Sequence, residues 1–240
     1  MKLCILTKNR VKEMHTFNLF KDYEVYLFVE PQDFEAYTEA YPNTQIVNIQ
    51  ENDKGVTFCR NFILNYFKGE RILILDDDIK RLFYRDARFK HKQTTPKEVL
   101  EELDKILDKG YVQASISFKG SNTLYKKPYK VNGRVWCMSA FNLDSLEKNN
   151  IRYDPLAIYF QDFDITAQIL SKGLSNCISY RYCFDCVPMG NNKGGQQSFN
   201  RKKLSESSLN HLLTKWYGVM KIKHNKKTGC LEPVFFWSKI

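Results

Sequence analysis

The sequence has no apolar run approaching the roughly 20 residues that cross a bilayer, which excludes a membrane-spanning helix. It also lacks a GxxxxGK[ST] segment and the glycine fingerprint of dinucleotide binders, so neither a P-loop nucleotidase nor a simple dehydrogenase is indicated. The four histidines are scattered, and no Ser/His/Asp or Cys/His nucleophile can be argued from them. The seven cysteines, an odd number spread from Cys4 to Cys230, suit reduced thiols better than a disulfide framework. Cys183-x-x-Cys186 has zinc-ligand spacing, but the later partners His211, His224 and Cys230 fall at irregular intervals, and two thiols in or near a strand is the simpler reading. The first residues lead into a strand rather than a signal peptide, and a cytoplasmic protein is expected. No internal repeat or low-complexity tract interrupts the chain. A hydrophobic content of 43% with 27% charged residues is that of an ordinary folded protein.

What the chain has in excess is positive charge. A net charge of +10 must attract a polyanion or be tolerated as self-repulsion, and nucleic acid heads the possible partners. The excess is uneven. Lys80, Arg81, Arg85, Arg88, Lys90 and Lys92 form one group, Lys119, Lys126, Lys127, Lys130 and Arg134 a second, and Lys221, Lys223, Lys226 and Lys227 a third. Phe83, Tyr84, Phe89, Tyr125, Tyr129 and Trp136 lie among them. Cations interleaved with flat rings suit a phosphate backbone with bases or sugars nearby. On this basis Arg81, Arg85, Arg88, Lys127, Arg134 and Trp136 are the candidate contacts to an acceptor. A solvated basic face on a protein that binds only small anions has the same composition.

The most specific segment is Arg71 to Ile79, where Ile72-Leu73-Ile74-Leu75 runs directly into Asp76-Asp77-Asp78. Four consecutive branched apolar residues suit a strand buried on both faces of a parallel sheet, and such sheets present ligand sites at the carboxyl ends of their strands. On an extended segment Asp76 and Asp78 point to one side and can grip a hard divalent cation, which relieves the repulsion among three adjacent carboxylates. A metal so held commonly carries a phosphate ester. An acidic turn behind a core strand is the plain alternative.

Element types alternate from the start. Strands are predicted at about 3 to 7, 24 to 29 and 44 to 49, with helices reaching Phe20, from Asp33 to Tyr41, and from Thr57 to Lys68. This βαβαβαβ order predicts a parallel, helix-covered, Rossmann-like nucleotide-binding half over about residues 1 to 80. After a basic linker, Thr95-Pro96-Lys97-Glu98 forms a capping box for a helix ending at Gly110. Strands follow at Tyr111 to Phe118 and Arg134 to Asn142, joined by a long basic loop. A helix from Asp162 to Ser171 and a strand from Cys177 to Cys186 complete an acceptor half over about 95 to 200. A C-terminal helix and basic tail occupy 201 to 240, and the whole reads as one α/β domain. The sequence does not fix the oligomeric state.

Several further residues stand where chemistry is expected. Thr7-Lys8-Asn9-Arg10 lies at the carboxyl end of the first strand and offers donors for a nucleobase or phosphate. Arg60 and Asn61 sit in the first turn of a helix, where the dipole disfavours positive charge, so Arg60 needs an anionic partner, either a nearby acid or a nucleotide. Asp162 and Asp164 fall at a helix N-terminus, where carboxylates are favoured as caps. Asp162 would nonetheless project into a cleft and could take a proton from an attacking hydroxyl. The segment Gly190 to Gly195 could wrap a phosphate, with Lys193 adding charge.

Taken in order, Thr7-Lys8-Asn9-Arg10, Asp76-Asp77-Asp78 and Gln161-Asp162-Phe163-Asp164 resemble the first-strand loop, the DxD motif and the second acidic motif of GT-A glycosyltransferases. Cys59-Arg60-Asn61 and Asn192-Lys193-Gly194-Gly195 are similar to segments of the phage-type enzymes that glycosylate modified DNA bases, relatives of domains associated with base-oxidising dioxygenases. The likeness covers about residues 1 to 200. It implies a single GT-A-like domain with a mostly parallel central sheet flanked by helices. It further implies a nucleoside-diphosphate sugar donor such as UDP-glucose, and Mn²⁺ or Mg²⁺ on Asp78 with Asp76 on metal or ribose. Thr7, Lys8, Asn9, Arg10, Arg60, Asn61, Asp77 and Lys193 would surround the donor, and Asp162 would act as base if the anomeric centre inverts. The acceptor would be a hydroxymethylated base in double-stranded DNA, or a sugar already on it, in a host cytoplasm if the source is viral. Many GT-A enzymes close the metal site with a C-terminal histidine. Here the matching loop offers Asn191, Asn192 and Lys193, which leaves the third protein ligand open. A protein or glycan acceptor, a nucleotidyltransferase on a similar sheet and a non-catalytic basic nucleic-acid-binding domain are the alternatives.

Overall fold

The computed structural model describes residues 1–187, 201–225 and 229–240. Its first half alternates as the sequence predicts: β1 (Lys2–Leu6), α1 (His15–Phe20), β2 (Val25–Val29), α2 (Pro31–Ala40), β3 (Gln45–Asn48), α3 (Val56–Tyr66) and β4 (Arg71–Asp76). The four strands are parallel, in the order β3-β2-β1-β4. In β4 all four residues Ile72 to Leu75 are at most 1% exposed. Leu73 and Leu75 enter one hydrophobic core, and Ile72 and Ile74 enter the other. Each such side chain contributes about 1.5–3 kcal/mol of burial, which fixes the register of the strand that carries the acids.

The expected extension of that strand through Asp78 is not found. β4 stops at Asp76, and Asp77 and Asp78 form a tight turn into β5 (Ile79–Arg85). The segment read as a basic linker is therefore strand. β5 and β6 (His91–Gln93) form an antiparallel hairpin, with β6 at the sheet edge. The burial pattern of β5 places Lys80 and Arg81 outward in succession, so it lacks the period-two signal that marks a strand in sequence.

Helix α4 (Pro96–Asp108) has the predicted capping box from Thr95 and Glu98. It leads to β7 (Gln113–Phe118), the short helix α5 (Lys119–Asn122), β8 (Tyr129–Val131) and β9 (Met138–Asn142). The long basic loop thus contains two further elements. β9 starts four residues later than expected, directly after Cys137, whose left-handed backbone (φ 56°) interrupts an extended run. Then come α6 (Leu143–Lys148), α7 (Gln161–Ser171) and β10 (Asn176–Cys186). Among the described residues ten strands make one sheet, continuing from β4 through β9, β7, β10 and β5 to β6, with β8 on β10. β9 is antiparallel to both β4 and β7, and β10 is parallel to β7. The carboxyl ends of β1, β4, β7 and β10 therefore share one side of the sheet.

The C-terminal part is a helix α8 (Arg201–Lys215) followed by a hairpin, β11 (Met220–His224) with β12 (Leu231–Phe235), where a tail was expected. Phe163 of α7 stacks on Phe235 (5.7 Å between ring centres), which stacks on Trp237 (4.8 Å). Polar contacts reinforce this docking. Lys215 bridges Asp154 (2.7 Å) and the fully buried Asp164 (2.8 Å), and the Trp216 indole donates to Asp164 (2.8 Å). Asp164 is thus a buried anchor for α8 rather than only a cap.

Burial acts to raise Asp154, but hydrogen bonds from Lys215 and His211 override it and hold the carboxyl at about 2. Its folded-state value lies below its ordinary one, so its stabilisation is complete above about pH 4 and is lost as pH falls toward 2. After allowance for solvent screening, Asp154→Asn is expected to cost about 1 kcal/mol at pH 7. Urea denaturation should show that gap holding constant down to about pH 4.5 and closing below it; a gap independent of pH refutes the assignment.

Candidate active site

The turn after β4 is held by its backbone. The buried Thr16 donates its hydroxyl to the Asp76 carbonyl (2.6 Å) and accepts the Ile79 amide (2.9 Å), while the Thr16 amide donates to the Asp77 carbonyl (3.2 Å). The Asp76 amide donates to the Cys137 carbonyl (2.9 Å), and the Val187 amide to the Asp78 carbonyl (3.0 Å). Neither Thr16 nor Cys137 carries a sequence signal for this role, because their partners are 60 or more residues away.

The three carboxylates have different fates. Asp76 Oδ1 pairs with Arg60 Nη2 at 2.7 Å. Asp77 turns away, pairs with Arg10, and accepts the Thr7 hydroxyl (2.7 Å). Burial pushes Asp77 up, and Arg10 opposes it. Asp78 is compensated only in part, by the more distant Arg10 charge and its own backbone amide, and its Oδ1 is buried without a hydrogen-bond partner among the described residues. Burial, then the charges of Asp76 and Asp77, push its carboxyl up to about 7.

An orphaned, desolvated carboxylate oxygen beside a second carboxylate is the setting in which a divalent cation replaces a missing partner. Asp78 and Asp76 could hold one. Among the described residues no group of three His, Cys, Asp or Glu is arranged to bind a metal, so two carboxylates are what the described chain supplies. Cys183 and Cys186 do not supply a zinc site. Cys183 is fully buried in β10, and Cys186 is the hydrogen-bond partner that, ahead of burial and Asp76, raises the Cys137 thiol.

Other sequence candidates turn out to be engaged within the protein. Lys8 pairs with Glu30 (2.6 Å) and Asp53, and the Asn9 amide donates to Asp33 (2.8 Å). Thr7 also shares a 2.7 Å hydrogen bond with Tyr37, whose hydroxyl burial pushes up to about 12. Asn61 places its amide group on the Tyr153 carbonyl (2.7 Å) and its oxygen on the Tyr153 amide (2.9 Å), a clamp between α3 and the chain before α7. Both ends of the amide expected to face a donor are thus engaged within the protein. Arg60 is likewise an internal bridge. Its guanidinium joins Asp76 to Gln161 Oε1 (3.1 Å) and lies over the Tyr153 ring, 5.6 Å from the centre. Burial lowers the basicity of Arg60, but the Asp76 charge more than restores it.

Among the acceptor candidates, Arg85 lies inside the protein rather than on its surface. It is buried, and its guanidinium donates to the carbonyls of Asn122 (2.8 Å), Tyr125 (2.6 Å) and Lys127 (3.2 Å), so it organises the basic loop from inside. Arg81 is exposed and pairs with Asp185 (2.7 Å), while Arg88 and Lys127 are exposed. Arg134 and Trp136 come together beside Asp162. The Arg134 guanidinium pairs with the Asp162 carboxylate and rests on Phe163 (4.0 Å) and Trp136 (5.4 Å). Asp162 itself is 5% exposed. The Gly190 to Gly195 segment, with Asn191, Asn192 and Lys193, lies outside the described residues.

A model of the TET-associated glycosyltransferase family matches residues 1–195. The chain belongs to that family. Among curated proteins none matches the chain. Solved structures show how this TET-associated glycosyltransferase is built. S. aureus TarS 1-349 in complex with UDP-GlcNAc superposes with a TM-score of 0.57 at 15% identity, over 86% of this chain and 64% of that one. Mycobacterium tuberculosis glucosyl-3-phosphoglycerate synthase in complex with Mn²⁺, UDP-glucose and phosphoglyceric acid gives 0.57 at 11% identity, over 97% and 86%. The chain spans 60 to 66% of the length of the three TarS 1-349 structures. These likenesses show the GT-A fold, a mixed α/β architecture with a mostly parallel sheet between helices.

The imbalance at Asp78 has a measurable consequence. Because its folded-state value is raised, the ionised carboxylate destabilises the fold, with the penalty growing from about pH 4 and complete above pH 7. In EDTA at pH 8, Asp78→Asn is therefore expected to stabilise the protein by about 1–2 kcal/mol. Thermal melts should register a rise of several °C (roughly 2–4 °C per kcal/mol) that disappears near pH 4. A lower melting temperature at pH 8 would show that Asp78 has a partner.

Proposed function

We propose that this chain transfers a sugar from a UDP-sugar, glucose being the expected one, to a hydroxyl on double-stranded DNA. That hydroxyl belongs to a hydroxymethylated base or to a sugar already attached to it. The observation that carries the reading is the buried, unpartnered Asp78 oxygen at the carboxyl end of β4, with Asp76 beside it and the family's fold around it. Asp78 and Asp76 would hold Mn²⁺ or Mg²⁺, which supplies charge stabilisation for the departing diphosphate. Structures of relatives in complex with UDP-GlcNAc and with UDP-glucose support the donor class. The family description, which ties these glycosyltransferases to TET, and the net charge of +10 support a modified-DNA acceptor.

In this reading the chain's own groups divide the work. Arg60 fixes the Asp76 carboxylate and Gln161 together, so the donor side and the start of α7 keep one geometry. Asp162 takes the proton of the attacking hydroxyl as that oxygen bonds to the anomeric carbon and UDP leaves, as an inverting transfer requires. The ion pair with Arg134 holds the Asp162 carboxylate in place at the start of α7. Of the two partners Arg134 is the one able to move, its side chain being 40% exposed against 6% for Asp162. An acceptor phosphate would draw the guanidinium away and free the carboxylate next to the incoming hydroxyl.

Incubation with UDP-glucose, Mn²⁺ and duplex DNA containing 5-hydroxymethylcytosine should release UDP and add a hexose mass to the DNA. Asp78→Ala should abolish transfer. Asp162→Asn should lower kcat by about 10²- to 10⁴-fold while donor affinity is kept. Transfer to a protein or glycan with none to DNA would reassign the acceptor, and pyrophosphate release from a nucleoside triphosphate would make the protein a nucleotidyltransferase.

A further inference from the structure

The turn of the β5–β6 hairpin carries features that sugar transfer does not use. Asp86 closes it from within, its carboxylate accepting the amides of Arg88 (2.9 Å) and Lys90 (2.9 Å) and its own amide donating to the Lys90 carbonyl (3.0 Å). Arg88, Phe89 and Lys90 are left at the apex, all exposed, and Arg88 and Lys90 form no ion pair among the described residues. Arg88, Lys90 and Lys92, with Asp86 and Ala87, line an open hollow of about 390 Å³. Phe89 is the most telling residue. Its backbone is left-handed (φ 61°), a conformation that a bulky side chain adopts at a cost and that glycine would adopt freely. Its ring is 38% exposed, with the locked Arg85 guanidinium 4.9 Å from its centre. A strained, solvent-facing ring between two cations is not needed to close the turn, because the Asp86 bonds do that. Strain of this kind concentrates where a ligand is met.

Resting on the proposed DNA acceptor, we infer that this hairpin tip is the duplex-docking element. Arg88, Lys90 and Lys92 hold backbone phosphates, and Phe89 packs against an exposed sugar or base edge. The sheet fixes its distance from the chemistry. β5 begins directly after Asp78, and its seven residues at about 3.3 Å each place its far end, just short of the tip, roughly 23 Å away. At about 3.4 Å per base pair, a duplex lying along the hairpin would meet the tip about seven base pairs from the modified base. Edge position suits the task, because among the described residues β6 has no further strand beyond it, and its side chains His91, Lys92 and Gln93 are partly or fully exposed. A row of cations on such an edge also blocks pairing with another chain, so the charge alone would not identify DNA as the partner. The exposed, strained aromatic ring does what edge protection does not require.

The test is fluorescence anisotropy of the full chain with an unmodified duplex across a series of salt concentrations. Arg88→Ala combined with Lys90→Ala should bind about tenfold more weakly, and the slope of log K against log salt should fall by about 2, at about 0.9 per lost phosphate contact. Phe89→Gly relieves the backbone but gives up the ring's contact with Arg85, so the melting temperature should change little while DNA binding weakens several-fold with the slope unchanged. UDP release from the donor without acceptor should be the same in all three proteins. On hydroxymethylated acceptors, extending the duplex past about seven base pairs on the hairpin side should lower KM for the wild type and not for the double variant. Unchanged affinity and slope in the double variant overturn the docking role even where the wild type glycosylates DNA. Weakened binding in that variant, with no transfer to any DNA by the wild type, upholds the docking role and overturns the proposed reaction. A wild-type chain that binds no duplex overturns both.

Discussion

Three consecutive carboxylates at the end of a fully buried strand must be compensated, and the protein provides two arginines for three aspartates. Arg60 neutralises Asp76, Arg10 neutralises Asp77, and Asp78 keeps a buried oxygen with no described partner. A single unpaired buried carboxylate is costly enough to shift its own protonation, as the rise to about 7 shows. Full pairing would make the turn more stable, and it would leave no carboxylate for a cation. The remainder of the first half can be understood as support for this deliberate deficit. Ile72 to Leu75 anchor β4 in two cores, while Thr16, Cys137 and Val187 tie down the turn's backbone so that repulsion cannot splay it.

The same arginine that quiets Asp76 joins the two halves of the molecule. Arg60 reaches Gln161 at the start of α7, and its neighbour Asn61 clamps the backbone of Tyr153. Helix α3 is therefore the member through which the acid turn and the candidate base Asp162 share one frame. Because Arg60 is buried and charged, removing it would leave the Asp76 carboxylate without its arginine and detach α7 from the donor side at once. Buried ion pairs add little net stability over an apolar substitute, and they are costly to break. What this one supplies is geometric coupling.

Much of the scaffold was legible in the sequence for local reasons. The parallel half announced itself through apolar runs spaced by amphipathic helices, and Thr95 with Glu98 marked a helix start because a capping box is complete within four residues. The hairpin at 79–93 was read as linker because its outward lysine and arginine are adjacent rather than alternate. The acid triplet and Asp162 could be singled out as residues, but their pairings could not. Arg134 and Asp162 are 28 residues apart, Arg10 and Asp77 are 67 apart, and Asn61 and Tyr153 are 92 apart. No local pattern encodes such contacts. Arg85 shows the opposite failure, since composition alone cannot tell a cation offered to solvent from one that gathers backbone carbonyls in the interior.

The C-terminal hairpin matters to the chemistry through an indirect route. Phe235 and Trp237 stack behind Phe163, and Phe163 is the surface on which the Arg134 guanidinium lies while it holds Asp162. Asp164, two residues along α7, is fixed in turn by Lys215 and Trp216 from the α8 side. Helix α7 is thus braced on the face carrying Asp164 and Phe163, which leaves Asp162 little freedom to follow a departing partner. Since the carboxylate is buried and braced, and the arginine is exposed and among the described residues otherwise rests on ring faces, the arginine is the partner better placed to move. Under the proposed mechanism, the anion that meets Arg134 would then decide when Asp162 is free, which would place control of the proposed base on the acceptor side rather than with the donor.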